Sequence, residues 1–260
     1  MISVDQMMQT HLPKLEQKPW LAKPVKGALR HLLHEQEFIA FAKRYPHLQG
    51  IEFVEQVLDY FNFAYAVRDN EVERIPSTGR VVIIANHPIG SLDGLALIKL
   101  VRDIRPDVKV IANQLLMAVE PLHSLLLPVN NMSGGTERSR FDRISDHLAA
   151  EGALILFPAG EVSTYKDGRL VVDKAWEEGA IKVIRKAQVP VVPIYFHAKN
   201  SGLFYLLSKI SGTLRTAKLP SEVFSQKHRV IKVRIGKVIS VAEQNEYESL
   251  EDYSEFLRKK

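Results

Sequence analysis

The chain of 260 residues predicts an α/β fold: a mostly parallel, mixed sheet flanked by helices, with an N-terminal helical segment in front of it. Three observations lead there. Short apolar runs such as "VVIIA", "VKVIA", "ALILF" and "VPVVPIYF" are apolar throughout rather than alternating, as expected of strands buried on both faces. Segments with helical spacing separate these runs, as crossover connections between parallel strands require. The first 58 residues carry helical periodicity and no comparable strand run.

In chain order, "PVKGALRHLLHEQEFIAFAKRY" places Leu29, Leu32, Leu33, Phe38, Ile39 and Phe41 at spacings of three and four. Lys14, Lys18, Lys23, Lys26 and Arg30 lie in or just before it on the other side. Such a basic amphipathic helix is either a solvated face packed on the core or a surface helix resting on anionic lipid. In the second case each basic residue near the headgroups contributes about 1 kcal/mol. "IEFVEQVLDYF" resumes the helical register after Pro46 and Gly50.

From about Asn62 the rhythm changes. "FAYAVRD" reads as an edge strand and "RIPSTGR" as a turn. "VVIIA", "VKVIA", "LLPVN", "ALILF" and "VPVVPIYF" follow as strands, interleaved with helices in "GLALIKLVRDI", "LLMAVE", "ERSRFDRISDHLAA" and "KAWEEGAIKVIRKA". "RVIKVRIGKVI" closes the series as a strand pair or one long bent strand. The expected division is therefore an N-terminal helical segment over residues 1–58 and an α/β domain over 59–260.

With 46% hydrophobic and 25% charged residues, the composition is that of a globular protein. The absence of cysteine removes disulfides, thiolate metal sites and cysteine nucleophiles. The oiliest stretch, "LLMAVEPLHSLLLPV", is broken by Glu120, Pro121 and His123, so any membrane contact is expected to be peripheral. A net charge of +5 and a pI near 9.2 suit an anionic partner, lipid headgroups or nucleic acid. The histidines outside the motifs lack metal-ligand spacing, and no metal or cofactor is expected. No Gly-x-Ser-x-Gly elbow occurs, and aromatic residues are not interleaved with basic ones as in single-strand nucleic-acid binders.

Two strand ends carry chemistry. In "VVIIANHPIGSLDG" the strand stops at Asn86 and His87, and Asp93 follows after Pro88, Gly90 and Ser91. A carboxylate beside a histidine fixes its tautomer and stabilises the imidazolium formed when it takes a proton. In "ILFPAGEVS" another strand runs into Phe157, Pro158, Gly160, Glu161 and Ser163, a small-residue turn whose backbone N–H groups would suit an anion or oxyanion. Taken singly, each reads more readily as a plain strand-to-loop turn than as a site.

Taken together, their order and spacing resemble the lysophospholipid and glycerolipid acyltransferase family. That family opens with Asn-His followed by Asp, and its third motif reads Phe-Pro-Glu-Gly-Thr-Arg-Ser. "VPVVPIYF" is similar to the family's fourth segment. The Asn-His-Pro opening and the Phe-Pro-Ala-Gly-Glu-Val-Ser form resemble most the bacterial, hemolysin-labelled branch that includes ornithine-lipid acyltransferases. The resemblance covers roughly residues 79–196.

It implies that His87 is the general base and Asp93 its partner. Asn86, Phe157, Pro158, Gly160, Glu161 and Ser163 would bind substrate, with oxyanion stabilisation from the backbone near Gly160. A fatty acyl group would pass from an acyl carrier protein or coenzyme A thioester to a lysolipid hydroxyl, without an enzyme-bound intermediate. The expected place of work is the cytoplasmic face of a bacterial inner membrane, with the protein peripheral on an anionic surface.

The chain departs from the family pattern at three points. Five residues, Pro88 to Leu92, separate His87 from Asp93, where the family has four. Ala159 and Val162 stand where the third motif has Glu and Arg, and Glu161 stands in place of Thr. The second motif's arginine has no clear counterpart near Val129 and Asn130, although Arg138, Arg140 and Arg143 follow a Gly-rich loop nearby. Losing a cation and gaining Glu161 disfavours a small phosphate acceptor and points to an amine-bearing lysolipid such as lyso-ornithine lipid. Two other classes stay open on these residues: a non-catalytic module binding membrane or carrier protein, and a basic nucleic-acid-binding domain.

Overall fold

Every residue of strand β2 (Val81–Ala85) is buried, so both faces of the strand need cover. The computed structural model describes residues 4, 5, 8, 19–32, 34–112, 114–128, 137–166, 170–210 and 212–260. In it, β2 lies at the centre of a seven-stranded sheet. The other six strands are β1 (Ala64–Ala66), β3 (Lys109–Ala112), β4 (Leu126–Pro128), β5 (Ala153–Leu156), β8 (Val191–His197) and β9 (Val230–Ile235). Their order is β1-β9-β8-β2-β5-β3-β4. β2 pairs in parallel with β5 and with β8, and β3 pairs in parallel with β5 and β4. β9 runs antiparallel to β8 and carries β1 as the parallel edge strand. The sheet is thus mostly parallel and mixed, as the sequence predicts.

Period-two alternation divides the central side chains between two layers. Val81 and Ile83 point to one face, and helices α1 (Gly50–Tyr60) and α2 (Leu92–Arg102), packed on each other, supply buried Val54, Leu58, Leu97, Ile98 and Val101. Val82, Ile84, Leu154 and Leu156 join the other layer. There α3 (Glu137–Ala149) contributes Ile144 and Leu148, α4 (Glu178–Ala187) contributes Ile181 and Ile184, and α5 (Leu250–Arg258) contributes Tyr253 and Leu257. A hairpin of β6 (Thr164–Lys166) and β7 (Leu170–Val172) stands apart from the sheet.

Residues 49–200 and 226–260 form this larger unit, while residues 1–48 and 201–225 form a smaller one. The division differs from a boundary at residue 58. The α1 segment carries an apolar stripe that packs on α2, with Lys99 bonded to Glu55 at 2.8 Å, so it belongs with the sheet. In the smaller unit the N-terminal helical pattern breaks into Pro19–Leu32 and Glu35–Arg44 at His34, whose φ is 52°. The His34 ring stacks on Phe224 at 3.9 Å, and Lys26 and Arg30 pair with Asp5. Helices Gly202–Ile210 and Gly212–Ser225 and the C-terminal helix α5 are absent from the sequence reading. In the oily stretch after Leu115, Leu122, Leu125 and Leu126 are core, while Leu116 to Val119 are only partly buried. The second-motif position at Val129–Asn130 and the Gly-rich loop up to residue 136 lie outside the described residues.

Arg105, 1% exposed, staples three loops of the larger unit. It donates to both carboxylate oxygens of Asp107, to the Pro76 carbonyl at 2.9 Å and to the Glu151 carbonyl at 2.7 Å. Removing it takes the donor from two loop carbonyls and leaves a void where the buried guanidinium stood. Arg105→Ala is expected to cost about 3 kcal/mol or more in urea unfolding; a loss below about 1 kcal/mol would mean the staple is redundant.

Candidate active site

β2 and β5 deliver the two motifs side by side, at the carboxyl ends where open α/β sheets bind ligands. Beyond β2, the Asn86 side chain continues the β2–β8 pairing. Its Nδ2 donates to the Phe196 carbonyl at 3.1 Å, and its Oδ1 accepts from the Phe196 N–H at 2.7 Å. This amide therefore braces the strand ends. Asn200 donates to the Pro88 carbonyl and holds the next residue of the loop.

The loop then wraps around one carboxylate. Asp93 is wholly buried in the first turn of α2. Its Oδ2 accepts from the N–H groups of Ile89 (3.0 Å) and Gly90 (3.4 Å), and its Oδ1 from those of Ser91 (3.0 Å) and Gly94 (2.9 Å). Gly90 has a φ of 77°, the left-handed conformation that lets the five-residue loop close. Despite the extra residue, Asp93 Oδ2 lies 3.3 Å from His87 Nδ1. That Nδ1 is buried and makes no aligned hydrogen bond, so the contact is an ion-pair approach.

Burial pushes the Asp93 carboxyl up. The opposing His87 charge and the backbone N–H groups outweigh it and hold the carboxyl below its ordinary value. Burial pushes the His87 imidazole down, and Asp93 together with Asp173 reverses this and raises it above the ordinary histidine range. The result is a partly exposed imidazole, anchored from below, that readily accepts a proton.

Phe157 packs its ring on His87 with centroids 4.3 Å apart. Gly94 leaves room beside both rings: a Cβ there would sit 3.6 Å from His87 Cε1 and 3.9 Å from Phe157 Cζ. Ser163 donates its N–H to the His87 carbonyl at 3.3 Å and its hydroxyl to Asp173. Gly160, with φ 63°, donates its N–H to the Phe157 carbonyl, closing the turn. That donor, expected to face an oxyanion, is spent inside the turn. The Pro158 carbonyl accepts from Glu177. Glu161 pairs with Lys174 at 2.5 Å, so its charge is answered within the protein. Ala159 and Val162 are buried, and the turn offers no charged group at either position.

The structure thus brings His87, Asp93, Phe157 and Ser163 together and uses Asn86 and Gly160 as bracing. Arg143 stands exposed on α3. Asp173 was not singled out from the sequence, because it lies in no motif and reaches the site only through the β6–β7 hairpin. Among the described residues no cluster of three or more His, Cys, Asp or Glu could hold a metal ion.

The site is thus an imidazole backed by a buried carboxylate at the end of a parallel strand of an α/β fold. Residues 13–260 match the Acyltransferase family, and the chain belongs to it. It is 29% identical over 247 residues to a lyso-glycine lipid O-acyltransferase of Bacteroides thetaiotaomicron, covering 92% of this chain and 88% of that protein. It is 26% identical over 246 residues to a lyso-glycine lipid O-acyltransferase of Phocaeicola vulgatus, covering 92% and 86%. The fold resembles the crystal structure of the 1-acyl-sn-glycerophosphate (LPA) acyltransferase PlsC from Thermotoga maritima, with a TM-score of 0.51, 14% identity and coverage of 89% and 87%.

Two outcomes follow from the geometry. Gly94→Ala fits the space and is expected to stabilise α2 by up to about 1 kcal/mol. Gly94→Leu should push the His87 ring aside and cost activity about a hundredfold, read as kcat/KM. The folded state holds Asp93 low, so that group stabilises above its unfolded pKa of about 3.9, and the contribution is lost as pH falls through the folded value. It holds His87 high, so that contribution is complete below about 6.5 and fades as pH rises through the folded value. Asp93→Asn should therefore lose more stability at pH 5.5 than at pH 8.5 in thermal melts; an equal loss would deny the ion pair.

Proposed function

We propose that this chain is an O-acyltransferase that places a fatty acyl group on the hydroxyl of an amino-acid-containing lysolipid. The observation that carries the reading is His87, which follows β2, lies 3.3 Å from the buried carboxylate of Asp93 and keeps 21% of its side chain exposed. Membership of the acyltransferase family supports it.

In this reading His87 removes the proton from the acceptor hydroxyl, and the oxygen attacks the carbonyl of a thioester on acyl carrier protein or coenzyme A. The tetrahedral intermediate collapses, the C–S bond breaks, and the leaving thiolate recovers the proton from His87. An ester and a free thiol result, and no acyl group resides on the enzyme. Asp93 keeps the imidazole oriented and stabilises its charged form in the transition state.

Two observations favour an amino-acid headgroup over a phosphate. The β5 turn presents buried Ala159 and Val162, and the nearby cation, Lys174, is engaged by Glu161. Both curated relatives carry lyso-glycine lipid in their names. With Glu161 paired to Lys174, a free amine recognised by Glu161 alone has less support, and our reading favours the glycine type over the ornithine type.

We further propose peripheral attachment to the cytoplasmic face of a bacterial inner membrane. No described helix is long and apolar enough to cross a membrane. In the smaller unit Trp20 is 75% exposed, Leu203 52% and Leu206 55%, unusual for large apolar side chains in water. The high pI suits an anionic lipid surface.

Purified protein supplied with acyl thioester should acylate lyso-glycine lipid faster than lyso-ornithine lipid, and both faster than lysophosphatidic acid. His87→Ala should lower kcat by about 10²–10⁴-fold. Preference for lysophosphatidic acid would overturn the acceptor, and an active His87→Ala would overturn the base. Leu203→Glu combined with Leu206→Glu should weaken co-sedimentation with anionic vesicles roughly tenfold or more; unchanged sedimentation would move the contact elsewhere.

A further inference from the structure

The β6–β7 hairpin returns a second carboxylate to the site, one the mechanism above leaves unused. Asp173 follows β7 and is partly buried. It accepts the hydroxyl hydrogen bond of Ser163, a residue only 2% exposed. The same serine donates its backbone N–H to the His87 carbonyl at 3.3 Å. One buried residue therefore ties the main chain of the imidazole on one side to a carboxylate on the other. Among the described residues no cation lies within ion-pair distance of Asp173.

We propose that Asp173 is a positioning residue for acyl transfer: through Ser163 it fixes the backbone of His87, and its negative charge stabilises the imidazolium that forms as His87 takes the hydroxyl proton. This rests on the reading of His87 as the base. No covalent step involves Asp173. The proton passes from hydroxyl to His87 and then to the leaving thiolate, while Asp173 keeps its own charge.

The electrostatics agree with this placement. Burial raises the Asp173 carboxyl, and the Ser163 hydrogen bond and the nearby charges of His87 and Arg258 oppose that, whereas Asp93 adds to it. His87 in turn is raised by Asp93 first and by Asp173 in addition. The other charged groups of this turn, Glu161 and Lys174, answer each other. Two carboxylates on different elements thus act on one imidazole, Asp93 from the start of α2 and Asp173 from the end of β7.

The full chain is assayed with acyl thioester and lysolipid over a pH series, and the His87 imidazole is titrated by NMR in the same variants. Asp173→Asn should lower the His87 midpoint by about half a unit or more, move the acid limb of kcat/KM the same way, and reduce kcat about tenfold. Ser163→Ala keeps the carboxylate charge, so it should reduce kcat while leaving the limb within about 0.2 units of the unaltered protein. A merely structural Asp173 would lower activity equally at every pH with an unshifted midpoint, and that result overturns the proposal. If His87→Ala retains activity, the base assignment fails instead. If His87→Ala is inactive while Asp173→Asn keeps the unaltered midpoint and limb, this inference alone fails. Thermal melts of both variants show whether lost activity reflects lost fold.

Discussion

Everything in the larger unit's site depends on one buried carboxylate. Asp93 has no access to water, so its charge must be solvated by the protein, and four backbone N–H groups supply this. Those same bonds give the loop from Ile89 to Gly94 its shape and start helix α2, whose N-terminal dipole favours a negative charge. Holding the loop and orienting the imidazole are a single act. An extra residue between His87 and Asp93 changes the path of the loop but not its end point, because the amides converge on the carboxylate wherever the chain allows them to. The imidazole and the carboxylate are thus brought together by the folded chain itself.

The turn after β5 works differently. It closes on itself: the Gly160 N–H donates to the Phe157 carbonyl, and the Pro158 carbonyl accepts from the Glu177 N–H. Its side chains are either buried, as Ala159 and Val162 are, or paired, as Glu161 is with Lys174. What it contributes to the histidine is shape and confinement, with Phe157 against the ring and Ser163 against its backbone. The smaller unit, assembled from residues 1–48 and 201–225, holds the more exposed apolar side chains of its helices away from that chemistry in sequence.

The central strands were legible because their burial on both faces leaves a continuous apolar run, a pattern few other elements produce. β1 was legible as an edge strand because it alternates. By contrast, the β6–β7 hairpin is short and its pairing is set by the chain around it, so "STYKDGRLVVD" reads as a loop. The helices from Gly202 on follow β8 after only a short polar link, and α5 is a nine-residue helix whose Tyr253 and Leu257 gain meaning only against Val191 and Ile239. His87 and Asp93 were legible through their motif. The partner role of Ser163 and the arrival of Asp173 were not, since the two are ten positions apart and joined only through a hairpin.

By itself, the sequence determined the sheet's central strands, the parallel order implied by their helical spacers, and the two strand ends that carry histidine and small-residue turns. Those are local properties: apolar pattern, turn chemistry and side-chain type act within a few residues. Only the tertiary structure decided that Gly160's donor closes a turn, that Glu161 is already paired, that Asn86 braces β8, and that a second carboxylate reaches the imidazole. Each of those depends on which distant group satisfies a buried hydrogen bond or charge, and that choice is made by packing, not by neighbours in the chain.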